Sequence, residues 1–210
     1  MTSAPFASAV PTVPTADVAR PGRLGARAAR AILGLLGWHL DVALPGESRG
    51  VIIVYPHTSN WDFPVGYLAK MGLGIPLRWL GKDEIFRWPF GAMFRRMGGI
   101  PVNRRERTGF ISAILAEFAR SPWMWLALAP EGTRRHTDHL KSGFWHIALD
   151  TGVPVGLAYI DWGRRVIGLT RYVRMSGDEA ADLAVIREAY AGVHGKNRGQ
   201  ESELRFLPRT

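Results

Sequence analysis

The sequence predicts an α/β fold: a single domain with a mixed, mostly parallel sheet flanked by helices, preceded by a short amphipathic N-terminal helix. Three observations predict it. Apolar, β-branched runs bounded by Gly and Pro alternate with segments whose apolar residues recur at helical spacing. That alternation suits parallel strands, which need crossover helices between them. Late in the chain, Val153 to Ile160 and Val166 to Val173 flank Asp161-Trp162-Gly163, a pattern suited to an antiparallel hairpin.

In order, positions 1–22 are rich in Ala, Pro, Ser and Thr without a periodic pattern and read as a disordered leader. Positions 23–40 follow as a helix. Arg23, Arg27 and Arg30 share one of its faces, with Ile32, Leu33, Leu35, Leu36 and Trp38 beyond, so it either lies in a membrane interface or packs on the domain. The main domain is expected over 41–192 and a basic tail over 193–210.

Within the domain, Val42 to Pro45 reads as a short strand and Val51 to Tyr55 as a buried one. A polar turn, His57-Thr58-Ser59-Asn60-Trp61-Asp62, leads into a helix reaching about Met71, stopped by Gly72 and Gly74. Leu77 to Leu80 is a strand, Pro89 starts a helix, and Ile100 to Val102 is a strand followed by Asn103-Arg104-Arg105. Thr108 caps a helix carrying Phe110, Ile111, Ile114, Leu115 and Phe118. Trp123 to Ala129 is a strand running into Pro130-Glu131-Gly132-Thr133-Arg134-Arg135. Helices follow at about Leu140 to Asp150 and, after the hairpin, Asp178 to Gly192.

Composition narrows the chemistry. At 210 residues and 47% apolar, the chain can bury a sizeable core, and the lack of cysteine excludes disulfides, thiolate zinc sites and cysteine nucleophiles. A net charge of +9 favours anionic partners: phosphates, anionic lipid head groups or nucleic acid. No uncharged apolar run approaches the ~20 residues that span a bilayer. The basic-then-apolar order near Arg30 starts late for a signal peptide and lacks a small-residue cleavage site.

Three polar clusters, His57/Asp62, Asn103/Arg104 and Glu131/Thr133/Arg134, each follow an apolar strand, and such strand ends can converge on one crevice. Histidine titrates near neutral pH, and an aspartate on its other ring nitrogen fixes the tautomer, so His57 and Asp62 suit proton abstraction. Arg104 and Arg134 can grip phosphate bidentately, while Gly132 allows close backbone approach. Glu131 could bond a substrate hydroxyl or hold an arginine. Trp61 either packs beneath the turn or walls the pocket.

These residues resemble the motifs of the glycerolipid acyltransferases, the lysophosphatidic-acid acyltransferase-like family. His57-Thr58-Ser59-Asn60-Trp61-Asp62 is similar to their H-x-x-x-x-D motif, Gly99 to Arg104 to the second block, Pro130 to Arg134 to the third and Val153-Pro154-Val155 to the fourth. The resemblance implies acyl transfer from acyl-CoA or acyl-carrier protein to a hydroxyl of a lysophospholipid acceptor, without an acyl-enzyme. His57 would be the base, oriented by Asp62. Arg104, Glu131, Gly132, Thr133 and Arg134 would bind the acceptor's glycerol-phosphate part, and Lys82 would add positive charge. It also implies peripheral or monotopic attachment to an anionic membrane surface at the cytoplasmic face. Donor apart, no cofactor is expected. Pro101 and Asn103 stand where the family usually has an aromatic and an aspartate, and Arg135 where serine is common; these departures bear on the acceptor.

Other readings have less support. A serine hydrolase or thioesterase needs a nucleophile, and no G-x-S-x-G elbow occurs. A membrane- or nucleic-acid-binding module would make the charge itself the function, yet no nucleic-acid-binding pattern is visible and none is expected as a partner. His136-Thr137-Asp138-His139 with His146 carries zinc-ligand types but reads as a solvated loop, so no metal site is expected.

Overall fold

The computed structural model describes residues 22–102 and 107–207. Positions 1–21 of the expected leader lie outside them, as do Asn103, Arg104 and Arg105.

Helix α1 spans Arg23–Leu35. Its buried Ala29 and Leu33 seat it on the domain, and Arg30 Nη1 donates to the Gly72 carbonyl at 2.6 Å in helix α2, Asp62–Leu73. A second apolar stripe, Leu24, Ile32 and Leu35, stays exposed. The strand expected at Val42 to Pro45 occupies His39–Val42 (β1) instead, because its place is set by a partner: His39 lies opposite Val166 and Val42 opposite Leu169 in β7, Val166–Leu169. Tertiary pairing overrides local propensity here.

The remaining strands are β2 (Arg49–Val54), β3 (Arg78–Lys82), β4 (Gly99–Val102), β5 (Met124–Leu128), β6 (Val155–Asp161) and β8 (Tyr172–Val173). Their order across one sheet is β1-β7-β6-β2-β5-β3-β4, with β8 also paired to β6. Every described pairing is parallel except those of β6 with β7 and β8, so the hairpin supplies the antiparallel part.

Alternation along β2 separates two layers. Val51 and Ile53 join a core with α4 (Arg107–Arg120), α5 (Gly143–Thr151) and α6 (Glu179–Ala189), through residues such as Phe118, Phe144 and Ile186. Ile52 faces the other way, toward the layer where Leu33 of α1 and Val65 and Ala69 of α2 pack on Ile160 and Ile167. On that second face, Phe63 of α2 meets Trp79 of β3 with ring centroids 4.6 Å apart. Phe86, from a 3-10 turn at Asp83–Phe86, and Phe94, from the short helix α3 (Gly91–Arg96), complete this aromatic cluster.

Residues 193–207, which the sequence suggested as part of a basic tail, run back over the domain as a strap. Val193 and Phe206 are buried, Leu140 N donates to the Arg205 carbonyl at 2.7 Å, and Leu140 bridges to Phe206.

Candidate active site

The parallel strands end on the same side of the sheet, and β2 lies between β5 and β6. The turn after β2 is therefore flanked by the residues that follow both neighbours, the arrangement in which α/β sheets form ligand crevices. The Tyr55–Pro56 peptide in this turn is cis. His57 Nδ1 lies 3.1 Å from Asp62 Oδ2. The same oxygen accepts from Ser59 N at 2.9 Å, and Oδ1 accepts from Trp162 Nε1 at 2.7 Å. A buried carboxylate needs such partners. Trp162 follows β6 directly, so that flanking strand places a donor on the pair's carboxylate.

From the β5 side comes Glu131, 2% exposed. Its Oε2 accepts from the backbone N–H of His57 at 2.5 Å and its Oε1 from the backbone N–H of Ser202 at 3.3 Å. Burial pushes this carboxyl up, against the downward pull of the His57 and Ser202 donors. Tyr55 OH donates to the Ser202 carbonyl at 2.7 Å; burial first, and Glu131 second, hold its phenol well above the usual range.

The strap closes the other side of the turn. Asn197 N donates to Thr58 Oγ1 at 3.1 Å and Asn197 Nδ2 to the Thr58 carbonyl at 2.7 Å. Gly195 permits this approach, since a Cβ there would meet Thr58 Oγ1 at 2.5 Å. A cleft of about 360 Å³ opens beside the turn. Thr58, Ser59, Asn60 and Trp61 line it together with Arg134, Arg135, Asn197 and Gln200. Trp61 is exposed here, on the wall of the cleft. A larger depression of about 720 Å³ sits at the opposite ends of the strands, by Arg49 and Val153, and shares no residue with this site.

The structure thus brings together His57, Asp62 and Glu131, and sets Arg134 on the cleft. Gly132, with φ 65°, and Thr133, whose Oγ1 accepts from Arg135 N at 3.3 Å, form the turn that presents both arginines. Lys82 is exposed at the end of β3, two strand positions from β2 and so roughly 10 Å across the sheet. Arg104 lies outside the described residues. Trp162, Asn197, Gln200 and Ser202 are site residues that the motifs do not mark. Among the described residues no group of three or more His, Asp or Glu side chains converges as a metal site. His136 Nδ1 instead meets the Glu201 carbonyl at 2.8 Å and His139 Nδ1 meets Asp138 Oδ1 at 2.7 Å.

A histidine–aspartate pair at the end of a parallel strand, beside a cationic turn, suits proton abstraction next to an anionic ligand in an α/β fold. The chain matches the acyltransferase family over residues 41–159, more than half its length, and belongs to that family. In fold it is similar to the crystal structure of the 1-acyl-sn-glycerophosphate (LPA) acyltransferase PlsC from Thermotoga maritima, with a TM-score of 0.51 and 18% identity over 80% of this chain and 77% of that one. Among curated proteins no sequence matches it.

Proposed function

We propose that this acyltransferase moves a fatty acyl group from acyl-CoA or acyl-carrier protein to a hydroxyl of a lysophosphatidate-like acceptor, with His57 as general base. The observation that carries this reading is the His57 Nδ1–Asp62 Oδ2 contact of 3.1 Å beside a cleft bearing Arg134 and Arg135. With Nδ1 engaged by Asp62, Nε2 is the nitrogen left to take the acceptor's proton. The acceptor oxygen attacks the thioester carbonyl, the C–O bond forms, and the tetrahedral intermediate expels the thiolate, which recovers the proton from the imidazolium. Arg134 and Arg135 hold the acceptor's phosphate. Glu131, with both oxygens on backbone donors, acts through His57 as a positioning residue.

Ser59 does not favour a hydrolase. It is buried, its N–H is spent on Asp62 and its Oγ accepts from Trp61 N at 3.2 Å.

No helix among the described residues is long and apolar enough to cross a membrane. The exposed stripe of Leu24, Ile32 and Leu35, bordered by Arg23 and Arg27, supports peripheral attachment through α1 to an anionic surface, which we place on the cytoplasmic side on the family resemblance alone. An assay with acyl-CoA and acyl-carrier protein donors against lysophospholipids, glycerol phosphate and amino-acid lipids, products identified by mass spectrometry, tests the acceptor. Transfer to lysophosphatidate that His57→Ala reduces by about 10²–10⁴ is expected. Undiminished transfer by that variant would refute the mechanism.

A further inference from the structure

We infer that Asp83 to Arg96 forms a second membrane-contact surface, distinct from α1, that seats the rim of the cleft on an anionic bilayer. It stands apart from the acyl-transfer reading, because it concerns adhesion without substrate.

The segment displays apolar side chains that the fold does not use. Trp88 is 93% exposed, Phe90 60%, Met93 47% and Ile85 40%. Their neighbours Phe86 and Phe94 are turned inward, into the cluster with Trp79 and Phe63. The outward side chains thus ride on a rigid aromatic mount, and ordering them on a surface costs little extra entropy. Trp is favoured at the head-group level of a bilayer, where its ring is amphipathic.

Charge selects the occupant. Arg87, Arg95 and Arg96 outnumber Asp83 and Glu84 in this stretch, and Lys82 immediately precedes it. No ion pair among the described residues involves Arg87, Arg95 or Arg96, although Arg95 lies over the Phe86 ring at 5.5 Å. Arginines around protruding aromatics suit anionic head groups above an acyl layer. An acidic protein would satisfy the arginines but leave no acyl layer for Trp88 and Phe90.

Position completes the argument. β3 runs parallel to β5, and β5 to β2, so the segment leaves the sheet at the end where His57 sits. Phe63, next to Asp62, touches Phe94. A bilayer that receives Trp88 and Phe90 therefore lies against the mouth of the cleft, where exposed Trp61 also stands.

The test uses the full chain and vesicles of equal parts phosphatidylcholine and phosphatidylglycerol, without substrate. Trp88→Ala/Phe90→Ala is expected to partition about tenfold less by sedimentation, with an unchanged circular dichroism spectrum and unchanged turnover of a water-soluble, short-chain acceptor. Arg87→Gln/Arg96→Gln is expected to weaken binding to anionic vesicles alone and to flatten its salt dependence. The chain has no cysteine, so Trp88→Cys carries a unique environment-sensitive label. Its emission should shift to the blue on vesicles, while the same label at Ala180→Cys, on α6 across the sheet, should not respond. Sedimentation of the double alanine variant like the parent, or a Trp88→Cys label silent on bound protein, would overturn the proposal. So would a double variant whose vesicle binding is intact but whose KM for acyl-carrier protein has risen, since that marks a protein dock.

Discussion

Trp162 Nε1 donates to Asp62 Oδ1 at 2.7 Å, joining residues 100 positions apart. The indole holds the carboxylate on one oxygen while His57 Nδ1 uses the other. Trp162→Phe keeps an aromatic ring and removes the donor. A hydrogen bond to a charged group is worth ~1.5–3 kcal/mol. kcat is therefore expected to fall roughly ten- to a hundredfold, with KM for the acceptor little changed. Steady-state kinetics with both substrates varied will show whether the loss sits in kcat.

Glu131 offers a clean choice between two roles. As a positioning residue it holds the His57 backbone, so Glu131→Gln, which keeps one acceptor oxygen and loses the other, should lower kcat by about tenfold and leave the acceptor's KM alone. Were the carboxylate instead to bind an acceptor hydroxyl, KM would rise. The kcat and KM split decides.

Arg134 and Arg135 reach the cleft from a turn whose backbone is held independently of their side chains. Arg134→Ala is expected to raise KM for a phosphate-bearing acceptor by about tenfold or more, with little change for an acceptor lacking phosphate. The ratio of the two KM values, in parent and variant, is the measurement.

Lys70 tests the second layer. Its Nζ donates to the Met97 carbonyl at 2.5 Å, and burial lowers its pKa to about 8. Below about pH 8 the ammonium is charged in folded and unfolded chains alike, and the fold bears the cost of burying it. Between about 8 and the ordinary value of 10.5 the unfolded chain binds more protons, so stability rises with pH. Lys70→Met removes that cost, and Met97 O keeps the Trp79 Nε1 donor at 3.2 Å. The variant should be more stable at pH 7 by about 2 kcal/mol, with the difference shrinking toward pH 10. Urea melts at both values of pH measure it.

Much of this was legible in the sequence, for physical reasons. Val51 to Tyr55 is β-branched and bounded by Gly and Pro, so its strand and the polar turn beyond it follow from local chemistry. His57 and Asp62 stand five positions apart, where one turn and the start of a helix bring them together. Trp162 and Asn197 were different. Their contacts close loops of 100 and 139 positions, and no periodicity records which distant residue a side chain will meet. Positions 193–210 read as a basic tail, whereas in the fold the lack of a side chain at Gly195 is what allows Asn197 onto Thr58. β1 was displaced for a related reason: its register belongs to β7.

The strap also separates what builds the sheet from what completes the turn. Every strand of the sheet precedes Asn197 and Ser202 in the chain, so a chain ending at Gly192 would hold every strand that pairs with β2 and neither of those residues. His57 and Asp62 would then already be neighbours, but Thr58 would lack Asn197, and Glu131 would hold His57 without Ser202 on its other oxygen. The sheet's pairings and the finish of the His57 turn thus rest on different parts of the chain.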